Sequence, residues 1–334
     1  MPDWFTILLG NYTPGAQNLT KKLGVVMDPI AAINPKKDST LAMLVAARAA
    51  GWSTWVIEQD KLFFRDNGVH AIAAHIEPSD DLNQWFRVLD SGEVPLSDFD
   101  AVLMRKDPPF NMNYVYATYL LEMAERAGTP VLNRPGSIRD ANEKLFALNF
   151  PSCTPPLVVS SDAGVLTAFH EEHGDVIFKP LDGMGGASIF RVKEGDANRN
   201  VIIETLTEMG TQPIMVQRYL PEIVRGDTRI LLINGEPVPY GLARIPSAGE
   251  NRGNLAAGGE GVGRELTDRD RFICAEVGPV LREKGLYFVG IDVIGDYLTE
   301  VNVTCPTCIR ELNAAYDLDI AGDYIRFIEA EVLG

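Results

Sequence analysis

Apolar and polar positions follow one rhythm in the first half of the chain and another in the second. Residues 23–27 are a short, wholly apolar run that predicts a buried strand ending at Asp28 and Pro29. An amphipathic helix is expected over 40–50, stopped by Gly51, with a second strand over 53–58. Residues 69–76 alternate and predict a peripheral strand, and 100–104 are another buried strand, ending at Arg105 ahead of Pro108 and Pro109. A helix over 114–127, a short strand over 130–132 and a helix over 137–150 carrying Lys144 complete this half. Strands alternating with helices predict a parallel α/β domain over 22–143, behind an N-terminal extension, 1–21, with no sustained period. Prolines at 151, 155 and 156 mark the change to a second domain, 144–334.

There the strands come in adjacent pairs. A helix over 162–172 leads to strands over 175–180 and 187–192, then a helix over 200–209 and an apolar strand over 213–220 broken by Gln217. Two strands, 228–233 and 238–245, flank Asn234-Gly235, a hairpin turn signal. Residues 246–263 are polar and glycine-rich, a length that marks a lid or a disordered segment. A helix over 267–284 precedes strands over 288–294 and 298–303, and a terminal helix is expected over 319–333.

Composition narrows the partners. The net charge of −16 on 334 residues argues against nucleic-acid binding, so an anionic ligand needs a local cluster of cations. No apolar run approaches the roughly 20 residues that span a membrane, and the start has no basic region typical of a signal peptide. Four cysteines are too sparse for a disulfide scaffold and point to a cytoplasmic location. Cys305 and Cys308 form a C-x-x-C, but a zinc site needs a second pair that Cys153 and Cys274 do not supply; thiols at a strand end are the simpler reading. His170 and His173, beside Glu171 and Glu172, read as a solvated helix face.

Two stretches carry candidate chemistry. Lys179 opens a loop with Gly183, Gly185 and Gly186, whose backbone N–H groups can close on a polyphosphate. The loop lacks the Gly-Lys-Ser/Thr ending of a P-loop, and Ser188 stands where a dinucleotide fingerprint has its last glycine. In the last hairpin, Glu300 and Asn302 share a face, and a turn centred on Asp296 puts Asp292 opposite Glu300. Such hard oxygen donors suit Mg²⁺ with phosphate, and facing carboxylates need something to neutralise them. Asp28 and Arg105 lie at carboxyl ends of predicted parallel strands, where ligands collect in open sheets.

With the lysine, the glycine loop, the polar 246–263 stretch and the oxygen hairpin together, the chain resembles an ATP-grasp ligase, and more closely the prokaryotic-type glutathione synthetase family. The resemblance runs from about Leu23 to the C-terminus. It is carried by segments 26–30, 103–110, 142–146, 179–190, 239–246, 252–259 and 300–304. It implies an N-terminal (pre-ATP-grasp) domain followed by a two-lobed ATP-grasp domain, its first lobe 144–220 and its second 221–334. It implies ligation of γ-glutamylcysteine to glycine with ATP, through an acyl phosphate, in a homotetramer. Carried over, Lys144, Lys179, Asp182, Gly183, Gly185, Gly186 and Ser188 meet the ATP phosphates. Gln217, Tyr219, Leu220 and Asp227 complete the nucleotide site; Asp292, Glu300 and Asn302 hold Mg²⁺, or Mn²⁺. Arg229 stabilises developing charge alongside Lys179, while Asp28, Arg105, Arg244, Arg252, Thr304 and Arg310 are assigned to substrate. Residues 246–263 correspond to a mobile lid. Cys305 departs from the family's usual small residue, which implies an oxidation-sensitive thiol near the glycine site. Competing readings are another ATP-grasp carboxylate–amine ligase and an ATP-binding regulatory protein without chemistry.

Overall fold

A computed structural model describes residues 20–183, 186–247, 253 and 258–334. Residues 1–19 of the expected extension over 1–21, Gly185, Arg252 and half of the 246–263 stretch therefore lie outside the described residues.

Six strands form the N-terminal sheet: β1 (Lys22–Met27), β2 (Ser53–Arg65), β3 (Gly68–Pro78), β4 (Phe86–Pro95), β5 (Ala101–Met104) and β6 (Val131–Leu132). Their order is β4-β3-β2-β1-β5-β6. The β2-β1-β5-β6 part is parallel as expected, and Leu23, Val25, Val26, Val102 and Leu103 are fully buried in it. The rest differs from the sequence expectation. β2 runs on to Arg65 and turns through Asp66 and Asn67, both at positive φ, into an antiparallel meander. β3 is thus an interior strand, and the unforeseen, largely exposed β4 is the edge. Helices α1 (Ser39–Ala49) and α2 (Met112–Arg126) start at Asp38 and Asn111, whose side chains accept from first-turn N–H groups.

The expected 137–150 helix is broken. α3 (Pro135–Asp140) ends early, and the Asn142 Oδ1 accepts from the Lys144 and Leu145 N–H groups, an Asx turn that diverts the chain.

The second sheet has the order β7-β10-β8-β9, from β7 (Leu157–Ser160), β8 (Asp175–Pro180), β9 (Phe190–Lys193) and β10 (Ile214–Arg218), with α4 (Ala163–His173) and α5 (Arg199–Leu206). β9 starts three residues later than expected, because Gly186 and Ser188 hold positive φ and keep 186–189 in the turn. His170 is buried, its Nε2 3.2 Å from the Lys193 carbonyl, so the solvated-face reading fails for it. This lobe packs on its own cluster, including Leu166, Val176, Phe178 and Val216.

The third sheet comprises β11 (Asp227–Ile233), β12 (Glu236–Pro237), β13 (Tyr240–Ile245), β14 (Glu260–Glu265), β15 (Phe288–Ile294) and β16 (Tyr297–Asn302). β14 pairs with β13, so the lid stretch contributes a strand from Glu260 onward. α6 (Asp268–Glu283) begins with a reciprocal capping box between Thr267 and Asp270. An unforeseen α7 (Ile309–Tyr316) follows, and α8 (Ile320–Phe327) ends the expected terminal helix short, in a π turn over Ile328–Val332. Buried residues of this sheet, among them Ile291 and Val301, share one cluster with Val26, Val102 and Tyr114 of the N-terminal domain.

Candidate active site

A cavity of about 310 Å³ opens between the second and third sheets and reaches the N-terminal domain at Asp107 and Pro108. Four cations line it, Lys144, Lys179, Arg229 and Arg244, although the chain as a whole is acidic. That is the local cluster an anionic ligand requires.

Lys179 sits on β8 and its Nζ donates to the Gln217 Oε1 at 3.1 Å, so the polar break in β10 is the buried lysine's partner. Burial pushes the ammonium down to about 8, and the Glu300 carboxylate opposes that shift. The Asx turn brings Lys144 to the glycine loop. Its Nζ donates to the Gly183 carbonyl at 2.7 Å and lies 3.6 Å from the Glu300 Oε1, while the Asn142 Nδ2 donates to the Leu181 carbonyl. A Cβ at Gly183 would meet the Pro180 Cγ at 2.9 Å, so this part of the loop has no room for a side chain.

The hairpin reaches the expected register by a different route. Its turn is the two residues Gly295-Asp296, and a β-bulge after Asp292 then brings Asp292 opposite Glu300. Arg229 neutralises Asp292 through a two-pronged pair, Nε to Oδ1 at 2.5 Å and Nη2 to Oδ2 at 3.0 Å. Arg244 adds a contact at 2.9 Å and pairs with Asp227 at 2.5 Å. The two guanidiniums hold the Asp292 carboxyl well below the usual range against the opposing effect of burial. Gly290 makes this possible, since a Cβ there would meet the Arg229 Cδ at 2.7 Å.

Glu300 and Asn302 both face the cavity. The Asn302 Nδ2 donates to the Gly290 carbonyl and the Asp292 Oδ2, which leaves Oδ1 as the oxygen that could meet a cation. Among the described residues no cluster of three or more His, Cys, Asp or Glu is arranged for a metal ion. Asp292, expected as a third ligand, does not line the cavity and has both oxygens engaged by Arg229 and Arg244, so Glu300 and Asn302 are the expected oxygen donors that face it, a pair that fits a hard cation. Glu143, a residue that sequence reasoning missed, also lines the cavity; burial and then the Glu300 charge push its carboxyl up to about 7.

At the far end Tyr219 and Leu220 join Ile177, Ile223 and Ile294 in an apolar slot. The Tyr219 N–H is taken by the Asp175 carbonyl, whereas the Leu220 N–H has no acceptor among the described residues. Gly183, Gly186, Asp227 and Thr304 line the cavity as well; Asp182 borders only a smaller neighbouring one, and Ser188 is exposed.

Several expected substrate residues lie behind the cavity wall. Asp28 pairs with Lys106 at 2.8 Å, and Arg310 with Asp80 at 3.0 Å. Arg105 is buried, donating to the Thr40 Oγ1 and the Pro306 carbonyl, and no carboxylate pairs with it among the described residues. Arg244 is occupied by Asp227 and Asp292, so it reaches a ligand only as part of that cluster. Burial pushes the Cys305 thiol well up and the Cys308 thiol up, so neither is poised as a thiolate.

Residues 22–139 match the prokaryotic glutathione synthetase N-terminal domain, and residues 143–317 match the ATP-grasp domain of the same enzyme. The chain belongs to the prokaryotic glutathione synthetase family. A glutathione synthetase from Pseudomonas aeruginosa is 58% identical over 314 residues, covering 94% of this chain and 99% of that protein. One from Coxiella burnetii is 54% identical over 93% of this chain and 97% of its own length. Among solved structures, D-cycloserine synthetase DcsG superposes with a TM-score of 0.67 at 16% identity, covering 94% of this chain and 100% of that one; this likeness concerns the fold alone. No described helix is long and apolar enough to cross a membrane.

Proposed function

We infer that this glutathione synthetase family member joins γ-L-glutamyl-L-cysteine to glycine, converting ATP to ADP and phosphate. Four cations facing Glu300 and Asn302 across one cavity, in a chain matching both family domains, carry the reading. The reaction phosphorylates the cysteinyl carboxylate, and the glycine amine displaces phosphate from the acyl phosphate. Transfer between two anions needs charge neutralisation and positioning more than a side-chain nucleophile.

Lys144 and Lys179 hold the ATP phosphates, the loop bearing Gly183, Gly185 and Gly186 closes over them with Asp182 and Ser188 at its rims, and adenine enters the apolar slot. The Leu220 N–H is its backbone donor, and Gln217, Tyr219 and Asp227 complete the pocket. Glu300 and Asn302 would hold Mg²⁺, or Mn²⁺, with Asp292 as a third donor once released from its guanidiniums, and the ion would supply charge neutralisation to the phosphates. Arg229 stabilises charge developing on the acyl group. Arg105 is assigned to a substrate carboxylate, and Asp28, Arg244, Arg252, Thr304 and Arg310 are assigned to the same substrate. Residues 246–263 exclude water during transfer. The enzyme works in the cytoplasm as a homotetramer, apart from nucleic acid and membranes. Phosphate release from Mg-ATP, with each substrate omitted in turn, tests the reading. Turnover without γ-glutamylcysteine, or none with all components, overturns it.

A further inference from the structure

Glycine arrives as a zwitterion, and its ammonium has no lone pair with which to attack. The cations of the main cavity suit phosphate and carboxylate, so the amine needs a different environment. Beside that cavity lies a compartment of about 100 Å³ that shares Pro108, Glu143, Gly183 and Thr304 with it. Glu143 borders the compartment as a carboxylate for the amine, beside Arg139, whose guanidinium already pairs with the Glu122 carboxylate.

Glu143 is the carboxylate common to both spaces. Its backbone carbonyl accepts from the Val301 N–H at 2.8 Å, and its Oε1 accepts from the Thr304 Oγ1 at 2.9 Å. Val301 stands between Glu300 and Asn302, so Glu143 is fastened to the strand that bears the proposed metal ligands. Its Oε2 accepts no bond from a described residue. The Tyr114 hydroxyl is fully buried and unpartnered, with Cys305, Glu143, Arg105 and Asp107 as its charged or ionisable neighbours. A buried hydroxyl without a partner is costly unless a ligand or water completes it.

We propose that Glu143 holds the ammonium of the incoming glycine in this compartment and takes one proton from it, which frees the lone pair for attack. The amine nitrogen then bonds to the acyl carbon and the carbon–oxygen bond to phosphate breaks. Phosphate leaves with the bonding pair and takes up the second proton that the nitrogen sheds. The other ammonium in the reaction, on the γ-glutamyl residue, lies most of a dipeptide's length from the reacting carboxyl. A carboxylate fastened to the metal-bearing strand therefore suits glycine. The inference rests on the proposed placement of the acyl phosphate at the hairpin.

Hydroxylamine separates the two. It is largely uncharged at neutral pH and attacks acyl phosphates without an acceptor for an ammonium proton. In Glu143→Gln, which keeps an acceptor for Thr304, kcat/KM for glycine is expected to fall at least about a hundredfold. Hydroxamate formation from ATP, γ-glutamylcysteine and hydroxylamine stays within about threefold of the parent. Glu143→Asp restores part of the glycine rate. An equal loss of both reactions, which would place Glu143 in phosphoryl transfer, overturns the inference and leaves the acyl-phosphate reading standing; equal retention of both overturns it too. A parent enzyme that forms no hydroxamate removes the acyl-phosphate placement itself. If Glu143→Gln does not fold, Glu143→Asp carries the same test: the glycine rate falls while hydroxamate formation does not, and equal changes in both overturn the inference.

Discussion

The two walls of the cavity are anchored in different ways. The first lobe, β7 to β10 with α4 and α5, packs on a small cluster of its own around Leu166, Val176 and Phe178. The second lobe shares its clusters with the N-terminal domain, so β11, β15 and β16 are continuous with the base of the molecule. The chemistry is divided the same way. The first lobe supplies Lys179 and the glycine loop, proposed to meet the phosphates; the second supplies the Arg229–Asp292–Arg244 cluster, which must hold its geometry among buried charges. A wall with a separate small core can move and open at low cost, whereas buried ion pairs tolerate little displacement.

Four measurements sharpen or break this contrast. Glu300→Gln, on the second lobe, is expected to lower turnover about a thousandfold by weakening the metal site. Its melting temperature should stay near the parent's, because Glu300 faces the cavity and its one ion-pair contact among the described residues, to Lys144, is at 3.6 Å. ADP release and a thermal melt read the two effects. Arg229→Met leaves Asp292 with Arg244 alone and should cost about 3–5 kcal/mol in denaturant unfolding, together with activity. Phe178→Ala should cost about 3–5 kcal/mol, but within the first lobe. Hydrogen exchange then shows β8 and β10 losing protection while β11 and β15 keep theirs; equal loss in both lobes would end the idea of separate anchoring. The smallest effect is one of pH. Lys179 titrates near 8 in the folded chain against 10.5 for an ordinary lysine, because burial disfavours its charge. Between those values the unfolded chain binds the extra proton, so this group adds stability as pH rises through the window. Above about 8 the ammonium is lost and KM for ATP should climb about tenfold per unit, a slope that Lys179→Arg flattens.

Local pattern in the sequence reached the parallel strands, the glycine loop and the pairing of Glu300 with Asn302, since each depends on residues close together in the chain. The meander of β3 and β4 escaped, because β4 is an exposed edge whose polar, irregular sequence carries no period of burial. The helix expected through Lys144 failed because Asn142 competes for the backbone N–H groups with its own side chain. His170 looked solvated beside two glutamates, yet it contacts a carbonyl 23 residues away. The Arg229 guanidinium on Asp292 comes from a strand pairing 63 residues apart, and the tie between Glu143 and Thr304 spans 161. Sequence spacing holds no trace of such contacts. Asp292 was rightly expected opposite Glu300, but from a turn of the wrong size that an unforeseen bulge corrected.

The first lobe also bears on how such a chain tolerates change over generations. The chain leaves the shared base near Cys153, whose carbonyl accepts from the Leu298 N–H, and returns at Asp227 on β11. Everything between is a cassette with its own interior. Drift in residues 157–218 is judged mainly by that interior and by one surface facing the nucleotide. A substitution in β15 answers to two partners at once, and a lineage should explore the cassette faster than the base.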